Sequence, residues 1–256
     1  MRSEDAETIA DNVEKFDKNK AELDAHLTAG KSHESFLLKQ IEAAATAQGI
    51  VNVGSYASNI DNAVANANQE MMDRVYCHNP DGSIDMTRIN QNPNLDGIIA
   101  ESRHAETFNI DSSAKESNLS AKALDSNTKN SVDVQVYDSS GKVVKRYQSK
   151  YGKDAESTAK YLKEGDYRGQ RKLVPEEQVK EIPGSTGHVE ADGVRSKPLS
   201  KEEAKQMRDR VQKEGKVLEY DWNDANKIAI TKAIGKKAVI AGVLAVGFQG
   251  ARILGR

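Results

Sequence analysis

The sequence contains a single cysteine, Cys77, in 256 residues. That excludes a disulfide framework within the chain and a cysteine-rich zinc site, and it suits a reducing cytoplasm. Five histidines, at 26, 33, 78, 104 and 188, show no zinc-ligand spacing. Aromatic residues are scarce at 5%, so the core is expected to be modest. Charge of neither sign dominates: the formal net charge is −2, and any basic surface must be local. No apolar run follows the polar start Met1-Arg2-Ser3-Glu4-Asp5, which argues against a secretory signal peptide. Gly30-Lys31-Ser32 lacks the earlier glycine of a phosphate-binding loop. Asp81 to Asp85 is too short for a calcium loop. There is no internal repeat and no low-complexity tract.

What is present is a pattern of helices around one strand-rich stretch, an α+β chain. Hydrophobic residues make up 37% and charged residues 30%, suiting a soluble, helix-rich protein of one large or two small domains. Ile9, Val13, Phe16, Leu23 and Leu27 recur at helical spacing over 4–48. A break falls at Thr28–Ser32, and Ser35–Ala47 forms a second helix. Gly49–Gly54 reads as a turn or short strand, and 57–76 as a third helix. The turn signals Asn79-Pro80-Asp81-Gly82 and Asn92-Pro93-Asn94 flank a short extended piece, Ser83–Ile89. They set a boundary near residue 90. Residues 1–90 are thus a helical N-terminal region, suited to scaffolding or to a protein partner.

A helix is expected from Leu95 to about Phe108, then a polar loop with one short helix over 111–130. Val132, Val134 and Val136 alternate with Asp133, Gln135 and Tyr137, the clearest strand in the chain. Asp138–Gly141 is a hairpin turn, and Val143–Tyr151 the return strand. Ala155–Lys163 is a helix with Gly165 as its C-terminal cap. Arg171–Val174 is a strand stopped by Pro175. The core domain is therefore 91–182. In the remainder, 183–256, residues 183–198 are a linker by composition. Ser200-Lys-Glu-Glu203 is a capping box that opens a helix to about Glu214.

Chemistry concentrates on the hairpin. Gln148 and Lys150 lie two residues apart on one face of their strand, and the turn can bring them beside Asp133. Mg²⁺ or Mn²⁺ takes hard oxygen ligands, so the Asp133 carboxylate and a Gln148 amide oxygen both qualify. A lysine ammonium beside the metal can orient water and stabilise charge on a phosphate. A helix acid, Glu106 or alternatively Glu101, completes a metal set of Asp133, Gln148 and Glu106. His104 is a candidate partner on the water or phosphate side, and a plain surface histidine is the other reading. Gln170 is a candidate support residue. The same strands, with Val inward and Asp and Gln outward, also describe any half-exposed hairpin.

These residues resemble the PD-(D/E)XK superfamily, the restriction-endonuclease-like nucleases. In that family a helix glutamate precedes an Asp on one hairpin strand, a Glu-X-Lys on the next, a helix and a further strand. This chain shows Glu101 or Glu106, Asp133, and Gln148-Ser149-Lys150 in that order over about 95–180. Gln in place of Glu is similar to the Gln-X-Lys form of Mrr-type endonucleases. The resemblance implies a restriction-endonuclease-like core, Mg²⁺ (or Mn²⁺) as cofactor and DNA cleavage. Phage defence, a mobile element or a toxin would be the setting.

Lys145, Arg146, Arg168, Arg171 and Lys172 are candidates to line a groove for the phosphate backbone. Tyr147, Tyr151, Tyr161 and Tyr167 are placed to stack on bases or to pack under the sheet. The uncharged stretch 238–251, bounded by Lys237 and Arg252, is shorter than the roughly 20 residues of a membrane span. It reads either as a buried helix or as a tail for membrane association or self-association. The rival to a nuclease is a non-catalytic helical interaction or membrane-docking protein, whose αβ core only binds a partner or nucleic acid.

Overall fold

A computed structural model describes residues 21–32, 35–36, 47–124, 130–234 and 237. The chain is α+β and divides into two compact units, 1–62 with 225–256, and 63–224. In the first unit, residues 21–28 are helical. Leu23, Phe36, Val53, Tyr56, Ile60, Ile230 and Ile234 are buried there. His26 Nε2 lies 2.6 Å from Ser35 Oγ, and Lys237 Nζ stands 5.6 Å from the centre of the Tyr56 ring. One long helix, α1 (Ala47–Val75), contributes to both units. It corrects the expected turn or strand at Gly49–Gly54. Gly49 and Gly54, and the β-branched Ile50, Val51 and Val53 between them, each cost some helix stability but do not stop a helix that no Pro interrupts. Residues 4–20 of the first expected helix, most of Ser35–Ala47 and the apolar stretch 238–251 lie outside the described residues. Among the described residues, no helix is long and apolar enough to cross a membrane.

The second unit opens with the antiparallel pair β1 (Tyr76–His78) and β2 (Ile84–Ile89). Next come α2 (Leu95–Ala114), β3 (Ser120–Ala123), β4 (Val134–Tyr137) and β5 (Val143–Ser149). Then follow α3 (Ala155–Lys163), β6 (Arg171–Leu173) and β7 (Ser185–Thr186). The hairpin β8 (Glu190–Ala191) and β9 (Val194–Arg195) and the helix α4 (Lys201–Glu214) complete it. Strands β3 to β7 form one sheet in chain order. β3, β4 and β5 pair antiparallel, while β5–β6 and β6–β7 are parallel. A single core joins Ala105 and Phe108 of α2 to Ala121, Val134, Val136, Tyr147 and Leu173 of the sheet, and to Val189, Ala191 and Val194. Thus α2 and the β8–β9 segment cover one sheet face.

Two segments differ from the sequence-based expectation. Within 111–130, expected as a loop, α2 runs on to Ala114 and β3 follows. Ser-Ala-Lys-Ala has no β-branched or aromatic residue, so its strand character comes from pairing with β4 rather than from propensity. β3 ends the sheet, and side chains cover its outer side. Asn109 Nδ2 donates to Ala121 O at 3.0 Å and its Oδ1 accepts from Ala121 N at 2.7 Å. Arg74 Nη2 donates to Ala123 O at 2.7 Å.

Residues 183–198, expected as a linker, carry β7, β8 and β9. Polar groups on α2 hold this segment: Asp111 Oδ2 accepts from Arg195 N at 2.7 Å, and Thr107 Oγ1 from Lys197 N at 3.0 Å. The Tyr147 hydroxyl bonds both Glu190 O and Glu190 N at 2.9 Å. Asp192 and Gly193 turn the hairpin with φ of 45° and 79°, the pair of positive values that an Asp-Gly hairpin turn requires. The capping box of α4 is present as expected. Ser200 Oγ accepts from Glu203 N, and Ser200 N donates to Glu203 Oε2.

Candidate active site

Strand pleating sorts the hairpin side chains into two sets. Val134, Val136 and Tyr147 point to the α2 core. The alternate set holds Asp133, Gln135, Arg146, Gln148 and Lys150. Asp133 stands one residue before β4, with its N–H bonded to Tyr147 O at 3.0 Å and its carbonyl accepting from Leu124 N at 2.8 Å. Lys150 stands one residue after β5, with its N–H bonded to Leu173 O at 3.0 Å. Ladder bonds thus fix the backbone of both residues.

The side chains converge. Asp133 Oδ2 accepts a hydrogen bond from Gln148 Nε2 and one from Ser149 N at 2.8 Å. Lys150 Nζ lies 3.7 Å from the same oxygen. Asp133 is 9% exposed and Gln148 2%, whereas 28% of the Lys150 side chain is exposed. The ammonium is therefore the solvent-facing member. Burial pushes the Asp133 carboxyl above its ordinary range, against the pull of Lys150, the Ser149 N–H and the Gln148 amide. Gln148 Oε1 is buried and has no hydrogen-bond partner among the described residues.

That orphaned acceptor bears on the metal. A buried amide oxygen without a donor is costly, and a hard cation is a species that satisfies it. Asp133 and Gln148 Oε1 provide two oxygen donors. Among the described residues, no group of three or more His, Cys, Asp or Glu is arranged to hold a metal. Mg²⁺ commonly keeps several waters and takes one or two carboxylates together with substrate phosphate oxygens. Asp133 with Gln148 is a donor set of that kind only with the Gln148 amide, whose nitrogen donates to Asp133 in this structure, turned to present Oε1 to the same side.

The helix acids have other surroundings. Glu106 is buried on α2. Burial, and then the charge of Glu70, push its carboxyl up to about 8, with Asn109 and Arg74 acting against them. Glu101 acts on the Tyr151 phenol, as do Glu177 and Glu203. Neither acid figures among the groups that set the Asp133 carboxyl. The structure brings together Asp133, Gln148 and Lys150, and places Glu106 and Glu101 on the helix that packs against the other sheet face.

His104 is fully buried rather than beside water or phosphate. Its Nδ1 lies 2.9 Å from Ser196 Oγ and its Nε2 2.8 Å from Tyr151 Oη. Ser196 Oγ accepts from Val189 N–H at 2.8 Å. Because the Tyr151 hydroxyl gives its proton to Leu199 O, that hydroxyl accepts from Nε2–H and leaves Nδ1 to accept from Ser196. His104 is then the neutral Nε2–H form and donates to Tyr151, whose hydroxyl donates to Leu199 O at 3.2 Å. Burial first, then the charges of Arg103 and His188, push the imidazole down to about 3. This chain of bonds ties α2, the end of β5 and the segment around β8 and β9.

The five basic candidates do not line one groove. Arg146 pairs with Gln135, and Lys172 with Gln148, so both share the Asp133 face. Lys145 pairs with Val136 and Arg171 with Tyr147 on the other set, and Arg171 lies 3.7 Å from Glu190. Arg168 is bonded to Asp166. Pleating divides consecutive residues between faces, so proximity in sequence does not make a track. Gln170 donates from Nε2 to Asn130 O at 3.2 Å and supports the loop before Asp133.

Three contributors are not among the sequence-derived site residues: the Ser149 backbone N–H, Asn130 and the ring face of Tyr167, which the sequence offers only as a stacking or packing residue. Lys150 Nζ stands 5.8 Å from the centre of that ring. Only the bulky Tyr167 carries any sequence signal. A separate cavity of about 700 Å³ is lined by Met72, Tyr76, Met86, Met207, Arg210 and Leu218 among others, and includes no hairpin residue. Compared with known protein families, curated proteins and solved structures, the chain matches none.

Proposed function

We propose that this chain is a Mg²⁺- or Mn²⁺-dependent phosphodiesterase that cleaves DNA, working in a reducing cytoplasm. The observation that carries this reading is the convergence of Asp133, Gln148 and Lys150 at one end of the β4–β5 hairpin. Support comes from the order α2-β3-β4-β5-α3-β6, which sets a helix, an Asp strand and a Gln-X-Lys strand in the sequence that resembles the PD-(D/E)XK nucleases. Asp133 and Gln148 Oε1 would hold the cation, which supplies an acidified water and neutralises phosphate charge. Lys150 directs its N–H donors at the charge that grows on the phosphoryl oxygens. Arg146 and Lys172, exposed on the same face, attract the phosphate backbone.

Supercoiled plasmid incubated with the full chain and Mg²⁺ or Mn²⁺ tests this. The wild type is expected to nick or linearise the DNA, and EDTA to stop it. Asp133→Ala and Lys150→Ala are each expected to lower the rate by about 10²-fold or more. Rates unchanged by both substitutions, or no cleavage with either metal, would sink the reading.

A further inference from the structure

The Lys150 ammonium sits at the end of a flexible four-carbon stem that by itself occupies many rotamers. Two groups contact it. Asp133 Oδ2 is 3.7 Å away, and Nζ stands over the Tyr167 ring, 5.8 Å from its centre. That ring is held by its own turn. Gly165 leaves the space it occupies: a Cβ there would come within 2.4 Å of Tyr167 Cζ and 2.6 Å of its hydroxyl. The same Cβ would stand 2.8 Å from Asn130 Oδ1, the oxygen that accepts from Asp166 N at 3.0 Å. Gln170 N closes the turn on Tyr167 O at 3.0 Å, and Gln170 Nε2 reaches Asn130 O. Asn130 itself has a φ of 68°, a left-handed conformation that Asn tolerates better than most residues. The turn 165–170 is thereby tied to the residue that leads into the Asp133 strand.

We infer that Tyr167 is a positioning residue, whose ring face holds the Lys150 ammonium beside Asp133 in the orientation used on phosphate. An aromatic face attracts a cation within about 6 Å of its centre, and it does so without a hydrogen bond that would occupy a lysine donor. The three N–H donors stay available for Asp133 and for substrate oxygens. This inference rests on the nuclease reading for its catalytic meaning. The geometric part, a ring that fixes the ammonium, stands on the contacts alone.

The test combines cleavage with a spectroscopic signature in the full chain. In ¹H–¹³C spectra, the Lys150 Hε resonances, assigned with Lys150→Arg, are expected upfield of the other lysines because they lie over the ring. Tyr167→Phe keeps that shift and Tyr167→Leu abolishes it. Gly165→Ala, which forces the ring aside, reduces it. In the plasmid assay Tyr167→Phe is expected to stay within about twofold of wild type. Tyr167→Leu should lower kcat about threefold to tenfold with KM unchanged, the size of a partly exposed ring–ammonium contact. A merely structural tyrosine would instead change KM and kcat together, or lower the folded fraction seen in the amide spectrum. Lys150 resonances at ordinary positions in the wild type, or unmoved by Tyr167→Leu, overturn the positioning role. So does equal kcat for Tyr167→Leu and wild type in a protein that cleaves DNA, and that result leaves the nuclease reading intact. A wild type that cleaves nothing overturns the nuclease reading and the catalytic part of this inference together.

Discussion

Two buried ionisable side chains on α2, His104 and Glu106, have opposite linkage to pH. The folded His104 is pushed down to about 3 from an ordinary 6.5, so the unfolded chain binds the extra proton between those values. Its contribution to stability is present above pH 6.5 and is lost as pH falls toward 3. The folded Glu106 is pushed up to about 8 from 4.5, so in this case the folded chain binds the extra proton. Its contribution is present below pH 4.5 and is lost as pH rises toward 8. The two slopes oppose each other between pH 4.5 and 6.5. From these two residues, stability should rise from pH 3 to 4.5, change little to 6.5 and fall from 6.5 to 8. Urea denaturation at pH 4, 5.5 and 7.5 reads this. Glu106→Gln should remove the alkaline fall, and His104→Gln the acid loss. Parallel curves for wild type and Glu106→Gln between pH 6.5 and 8 would refute the assignment.

At the scale of elements, the sheet is managed at its edge by side chains rather than by a covering strand. Asn109 imitates a neighbouring strand at β3, with one amide bonding both Ala121 N and Ala121 O. Exposed strand edges template association with other chains. Asn109→Ala is expected to destabilise the fold by about 1–3 kcal/mol through two unmet backbone groups, and to increase light scattering on warming. Asn109→Asp keeps the acceptor for Ala121 N and loses the donor for Ala121 O, so an intermediate midpoint in urea is expected. A midpoint equal to wild type for Asn109→Ala would show that water replaces both bonds without cost.

Elements also differ in how far their sequences announce them. The valine alternation, the Asp138–Gly141 turn and the Ser200 capping box carry strong local signals, and the structure has them, with the strand starting at Val134 rather than Val132. β3 and the β8–β9 hairpin carry weak ones. Ser120–Ala123 has a single small buried side chain, Ala121. The β8–β9 strands are two residues each, too short for a period of two to register. Asp192-Gly193 is the one legible cue, hidden among other Gly and Ser residues. Gly165 is legible as a helix stop, but for a different reason than expected. It is absent from the glycines with positive φ, and what it provides is room for Tyr167.

At the scale of the molecule, the unit around the sheet is 63–224, wider than the 91–182 that composition suggests. The difference lies in tertiary partners. Val189, Ala191 and Val194 fill the core against Phe108 and Tyr147, Arg74 reaches Ala123, and Asn68 bonds Tyr220 through both its amide groups. A fragment limited to 91–182 is expected to lack a cooperative thermal transition by circular dichroism. Residues 63–224 should show one. Cooperative melting of the shorter fragment would contradict a core that depends on the β8–β9 segment. Residues 225–234, by contrast, belong with the first unit, although they follow α4 closely in sequence.

The sequence by itself determined the α+β character, the hairpin and the three residues that meet on it. A strand pair joined by a short turn narrows which side chains can face one another, and in the register that pairs Val134 with Tyr147 the next residues outward, Asp133 and Gln148, meet, with Lys150 beside them. Tertiary structure alone decided the rest. It turned α2 so that Glu106 and His104 lie buried on the far side of the sheet, and it split the basic cluster between two faces. It also drew a polar segment into the core and set Tyr167 against Lys150. These outcomes depend on contacts between residues tens of positions apart, whose free energy comes from burial and from long-range hydrogen bonds that no local pattern encodes.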